Sequence, residues 1–390
     1  LNLRHYLLLT ILAALACACA PAAEIVPGRY LPRDERDAYE HGLRQAGLAG
    51  TALGMEWQRS ADAALARPTS IELPYREHGA FDRREAHAFG YRFAAARGQR
   101  VEVTLSMSAP DPTVFIELFR VEEGGRSVHV ASADPETRRL VFEPGTDADY
   151  LLRLQPELMR GGGYDLEVRL VASLEFPVAD HGVGNIQSAF GVPRDAGRRS
   201  HHGVDIFAPR GTAVLATSRA YVRRVRVQNL GGKTVWLHDQ ERGLHLYYAH
   251  LDEQLVEPGT WVRPGDLIGR VGNTGNARTT PPHLHFGIYE QGEGPTNPDP
   301  FLRQPRQRLA RLEANAAIVG AFAEVAEADV PLRQGPGRRA AVVAALTEGT
   351  PLRIWAAAAD QYRVTLADGT NGFLAADRVR VPRSPASADD

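Results

Sequence analysis

From about residue 80 onward, apolar residues recur at every second position in short runs such as YRFAAARGQRVEVTLSM, TVFIELFRVE and GGGYDLEVRLVA. Glycine, aspartate and proline break these runs at intervals of roughly ten to fifteen residues. A period of two places alternate side chains on opposite faces of a strand, and no helix can satisfy it. The chain is therefore expected to be mainly β. Residues 80–175, with the clearest alternation, predict a β-sandwich accessory domain of two antiparallel sheets. At 390 residues the chain has room for two to four domains, each with its own core.

The first two dozen residues, LNLRHYLLLTILAALACACAPAAE, break the pattern. Arg4 and His5 supply a basic start, and an apolar stretch from Leu7 to Leu15 is followed by small residues, so 1–20 is expected to be a signal peptide. About ten apolar residues fall short of the roughly twenty that a membrane-spanning helix needs. The two cysteines of the chain, Cys17 and Cys19, close this segment. ALAC and ACAC resemble a bacterial lipobox, so lipid on Cys17 or Cys19 would attach the protein to a membrane, and plain cleavage is the alternative. Either route implies export, to the periplasm or outer membrane or into the medium. With no other cysteine, neither a disulfide framework nor a thiolate zinc site can form, and any metal must be held by His, Asp or Glu. A net charge of −2 gives no electrostatic footprint for nucleic acid.

Residues 25–70 read as a helical lead-in, weakened by Gly42, Gly47, Gly50 and Gly54. Residues 176–303 return to short strands with glycine turns. Residues 304–325 read as an amphipathic linker helix with Leu309, Leu312, Ala316 and Val319 on one face. The strand-rich stretch 327–382 contains LRQGPG, LTEGTPLRIW, YRVTL and DGTNGFLAADRV and resembles a bacterial SH3 domain, a small barrel. Residues 383–390 are a disordered tail by composition.

The chemistry-bearing residues are His201, Asp205, His250, His283 and His285, in SHHGVDIFAP, YYAHL and PPHLHFGIY. His283 and His285 share one face of a strand. His201 and Asp205 would stand about 13 Å apart on an ideal strand, too far to share an ion, so the chain must fold back between them, and Gly203 can supply the bend. Three of the five could hold a metal, leaving two imidazoles for proton transfer, the arithmetic of a catalytic rather than a closed structural zinc site. His202 is expected to be an exposed neighbour, His238 and His245 surface or groove residues, and Asp239 and Asp252 turn acids.

The spacing H-x-G-x-D-I-x-A-P-x-G-T-x-V (His201 to Val214), Y-A-H-L (Tyr248 to Leu251), G-x-x-V-x-x-G-D-x-I-G-x-V-G-N-T-G (Gly259 to Gly275) and H-L-H-F (His283 to Phe286) resembles the lysostaphin-type, LytM-like zinc endopeptidases. The resemblance implies an antiparallel-sheet peptidase domain with an open groove over 176–303, one zinc ion held by His201, Asp205 and His285, and a catalytic pair, His250 and His283, that orients or deprotonates the attacking water. It also implies peptidoglycan stem peptides as substrate, and export suggests a D-Ala–meso-diaminopimelate cross-link as the bond cut. The alternatives are a catalytically silent relative that activates a separate cell-wall amidase, and a scaffold whose SH3-like module binds the wall.

Overall fold

The computed structural model describes residues 30–382 apart from 109–112, 195–196, 291 and 306–307. The expected signal peptide, with Cys17 and Cys19, and the tail 383–390 lie outside the described residues. No helix among the described residues is long and apolar enough to cross a membrane.

The lead-in forms two helices, Glu35–Gln45 and Ala52–Ala66. Asp34 caps the first by accepting from Asp37 N, and Thr51 caps the second by accepting from Gly54 N. A methyl group on Gly54 would lie 2.1 Å from Leu48 O, so only glycine lets the intervening turn fold back onto the second helix. Trp57 is buried against Phe115 and Tyr39 and donates from its indole nitrogen to Pro156 O at 2.9 Å. The helices are thereby fastened to the accessory domain.

That domain is a sandwich. One sheet runs Thr69–Ser70, Phe89–Ala95, Ala148–Pro156, Val114–Val121, Ser127–Ser132 in spatial order. The facing layer consists of Tyr75–Phe81, Gly162–Ala172, Gln99–Met107 and Arg139–Phe142. Alternate residues of each, among them Val101, Val103, Leu105, Leu152, Leu154, Leu166 and Val168, fill the space between.

The C-terminal module does not close into the small barrel expected of it. Its strand Pro351–Ala358 pairs with Tyr75–Phe81 of the sandwich, with His78 opposite Ala357 and Gly79 opposite Ala356, and the two modules share one sheet of eleven strands among the described residues. Pro351–Ala358 is buried on both faces after its first residue, which is why LRIWAAA shows no alternation. Trp355 and Phe373 belong to the sandwich's own core. The edge a barrel would close on itself is taken by a neighbour.

The linker helix is likewise a correction. Residues 303–315 carry no helix among those described, and only a 3-10 turn, Ala316–Ile318, forms. The N–H groups of Glu313 and Ala314 donate to Ala359 O at 2.7 and 2.8 Å, so tertiary bonds to the SH3 module replace the intrahelical ones.

The described residues of 176–303 build an eight-stranded antiparallel sheet ordered Ile186–Ser188, Val204–Phe207, His283–Glu290, Leu244–Leu251, Gly232–Asp239, Ala220–Gln228, Trp261–Val262, with Gly294–Thr296 beside His283–Glu290. One face packs Val204, Ile206, Leu246, Tyr248, Leu284, Phe286 and Ile288 over a small sheet of Ala213–Leu215, Leu267–Arg270 and Glu253–Gln254. The other face is open. The domain begins and ends at one place: Leu174 N donates to Phe301 O at 3.1 Å, and Ala172 N to Gln304 Oε1 at 3.1 Å.

Candidate metal centre and groove

Antiparallel pairing places Asp205 directly opposite His285, and Phe207 opposite His283. His201 lies just before this strand, on the loop that leads into it. Its Nε2 lies 3.0 Å from Asp205 Oδ1 and 2.9 Å from His285 Nδ1, and His285 Nδ1 is 3.0 Å from the same Asp205 oxygen. Three potential ligand atoms thus converge on one point. His201 Nδ1 faces Ala189 O at 2.8 Å; a carbonyl can only accept, so this nitrogen carries the proton and Nε2 is left as a lone pair. Two imidazole nitrogens and a carboxylate oxygen fit a borderline divalent cation such as zinc.

Gly203 acts differently from the bend predicted for it. Its φ is not in the left-handed region, and space is what demands glycine: a Cβ there would lie 2.5 Å from Phe286 O and 2.8 Å from the His285 ring. The loop carrying His201 approaches the His285 strand closely only because this position has no side chain.

His250, next to last in the strand Leu244–Leu251, has φ +62°, left-handed backbone that costs a non-glycine residue about 1–3 kcal/mol. Its N–H donates to Gly231 O at 2.8 Å and its Nδ1 to Thr274 O at 2.9 Å. His283 donates from Nδ1 to Pro281 O at 2.9 Å, and its Nε2 stands 4.0 Å from Asp205 Oδ1. Both rings therefore hold the tautomer with Nε2 unprotonated, and they sit 5.0 Å apart, edge to face.

Burial would raise the Asp205 carboxyl, yet the His201 and His285 rings beside it hold it well below the usual carboxylate range. Burial, then the neighbouring His283 and His285, push the His250 imidazole down to about 4. His285 is also lowered by burial. Burial drives the Tyr247 hydroxyl up to about 12, so it stays a donor at neutral pH.

All five motif residues line one groove of about 710 Å³, and none of the described lead-in residues does. The groove also contains residues the motifs did not indicate. Arg194 donates from Nη2 to Asp205 Oδ2 at 2.6 Å and to Ser188 Oγ at 2.5 Å, fixing the carboxylate so that Oδ1 faces the histidines. Behind the groove wall, Thr274 of the G-N-T-G run supplies the carbonyl that orients His250; its hydroxyl bridges Leu251 O and Lys233 N at 2.9 Å each. His202 is exposed at the rim. His238 and His245 stack on each other at 4.5 Å and are not among the groove-lining residues. Asp239 is a turn acid, accepting from the N–H groups of Glu241 and Arg242, but is fully buried and paired with Arg242. A second cluster, Asp34, Glu117 and His129, already holds its positive charge: Arg153 and Arg36 stand 2.5 and 3.6 Å from Glu117.

Residues 199–298 match Peptidase family M23, and residues 326–380 match the bacterial SH3 domain. The chain carries an M23 peptidase domain. Curated relatives of this M23 domain include the L-Ala–D-Glu endopeptidase of Bacillus subtilis, 34% identical over 33% of this chain and 42% of the relative. Peptidoglycan DD-endopeptidase ShyC of Vibrio cholerae is 29% identical over 31% of each. The DD-carboxypeptidase/endopeptidase Mpg of Neisseria meningitidis is 38% identical over 26% of this chain and 22% of the relative. The chain thus spans less than half the length of these relatives.

Proposed function

We propose that the chain is a zinc-dependent endopeptidase that hydrolyses peptide cross-links of peptidoglycan outside the cytoplasm. The observation that carries this reading is the convergence of His201 Nε2, Asp205 Oδ1 and His285 Nδ1 within about 3 Å of one another beside two imidazoles with free Nε2 atoms. His201, Asp205 and His285 would hold the zinc, which would supply Lewis acidity to polarise the scissile carbonyl and acidify the attacking water. The chain's own residues do the rest. His250 and His283, which line the same groove as those three residues, are the catalytic pair. One takes the proton of the attacking water on its unprotonated Nε2, while the other orients that water by accepting its second O–H. The water oxygen bonds to the carbonyl carbon, the C–N bond breaks, and the proton passes from the imidazole to the leaving amine. Arg194 keeps Asp205 aimed at the ion, and the carbonyls of Ala189, Thr274 and Pro281 keep the three histidines that donate to them in their tautomers.

The bond we assign is D-Ala–meso-diaminopimelate, supported by the DD-endopeptidase names of two relatives. Export through the leader, with lipid on Cys17 or Cys19 or plain cleavage, would bring the enzyme to that substrate. Purified sacculi treated with the chain lacking its leader, with zinc or with chelator, test the proposal. Chelator-sensitive conversion of cross-linked dimers to monomers is expected, with mass spectrometry of the products naming the bond. Intact dimers together with a zinc-free protein would sink the enzyme and leave the amidase activator standing.

A further inference from the structure

Beside the metal centre the open face of the M23 sheet carries a row of aromatic rings. Tyr247 lies edge-on to His285 with ring centres 5.8 Å apart. Trp236 is its cross-strand partner at 4.4 Å, and Tyr289 lies 5.2 Å from Trp236. All three rings are half-buried and line the groove. They are not overflow from the core, which the alternate residues Val235, Leu237, Leu246, Tyr248, Phe286 and Ile288, all fully buried, close without them. Gly287 is the residue opposite Tyr247, between His285 and Tyr289 on the same strand face. A Cβ there would stand 3.0 Å from His202 O and 3.1 Å from the Tyr289 ring, so the centre of the row stays clear of side chains.

We infer that Trp236, Tyr247 and Tyr289 form a sugar-binding platform and that the substrate is a glycan-bearing stem peptide rather than a free one; this rests on the peptidoglycan reading above. The chemistry is that of a pyranose face, whose C–H bonds carry partial positive charge and meet the negative face of an aromatic ring. Gln228, Asn276 and Thr280, which also line the groove, offer amides and a hydroxyl to sugar hydroxyls. The reach also fits. Trp236 stands two strands across and two residues along from His285, about 12 Å at the usual spacings. An extended peptide covers that in three to four residues, and in a stem peptide the sugar precedes the D-Ala–diaminopimelate bond by four.

The test compares kcat/KM of the zinc-loaded chain on two dimers. One is a cross-linked tetrapeptide dimer bearing its disaccharides; the other is the same dimer after an amidase has removed them. A preference of about tenfold for the sugar-bearing dimer is expected, and Trp236→Ala and Tyr289→Ala should each bring the ratio toward one. Damage to the fold would lower both rates and leave the ratio in place, so it cannot mimic this result. A ratio of one in the parent, or an undiminished ratio in both variants, overturns the platform while the endopeptidase stands. Cleavage of neither dimer sinks the endopeptidase instead. The platform is then judged by titrating the protein with an uncrosslinked disaccharide tetrapeptide: weaker binding by Trp236→Ala supports it, and equal binding overturns it.

Discussion

Glu77 and Asp205 are both carboxylates withdrawn from water, one at the seam between the sandwich and the SH3 module, the other in the M23 groove. Glu77 is closed on every side. Its Oε1 accepts from Tyr91 at 2.5 Å, Tyr164 at 2.6 Å and Arg363 at 3.0 Å, and its Oε2 from Tyr75 at 2.5 Å and Arg363 at 3.1 Å. Arg363 neutralises the charge and lays its guanidinium 4.0 Å over the Phe89 ring. Around Asp205 the arrangement is open: two imidazole nitrogens and a carboxylate oxygen face one another, and Arg194 reaches only the far oxygen. A buried cluster that satisfies itself holds a fold together, whereas one whose acceptors face inward asks for a cation.

Three substitutions would break or sharpen that contrast. Asp205→Ala should have the largest effect, removing bound zinc, measured by elemental analysis, and all cleavage of sacculi. Its unfolding free energy, measured without metal, should stay within about 1 kcal/mol of the parent; a large loss would make Asp205 a structural group like Glu77. Arg363→Met should do the opposite. Leaving Glu77 buried without its cation is expected to cost about 3–5 kcal/mol in denaturant unfolding of the sandwich and SH3 unit, with zinc content near one per chain. Loss of zinc in that variant would mean that the two clusters are coupled. Arg194→Ala is the mildest, because it removes an orienting contact and no ligand. Zinc affinity should fall about 10–100-fold in chelator competition, with activity restored by excess zinc; unchanged affinity would reduce Arg194 to a surface ion pair.

What the sequence made legible follows from how far apart the interacting residues lie. The two-residue period shows that His283 and His285 share a face, and the same rule extended along the strand reaches Gly287 and Tyr289. It cannot show that Trp236 and Tyr247 sit beside them, because that depends on the register of strands tens of residues apart. Arg194 and the carbonyl of Thr274 have no motif of their own that says which side chains they orient. Two expectations failed for one reason. The apolar spacing of Leu309, Leu312, Ala316 and Val319 is helical, and the run LRIWAAA suits an SH3 barrel strand, but both segments find backbone partners outside themselves, at Ala359 and at Tyr75–Phe81. Local pattern loses where a neighbour supplies the hydrogen bonds.

The bond between Leu174 N and Phe301 O bears on how such a protein can be rebuilt. The M23 domain leaves the main body where it enters, so it is a cartridge plugged into a frame made by the sandwich and the SH3 module, which pair with each other directly rather than through it. Domains with adjoining ends are the ones that tolerate insertion into another chain. Another domain with equally close ends could take this socket without disturbing the Glu77–Arg363 seam, and the frame would present whatever chemistry it was given.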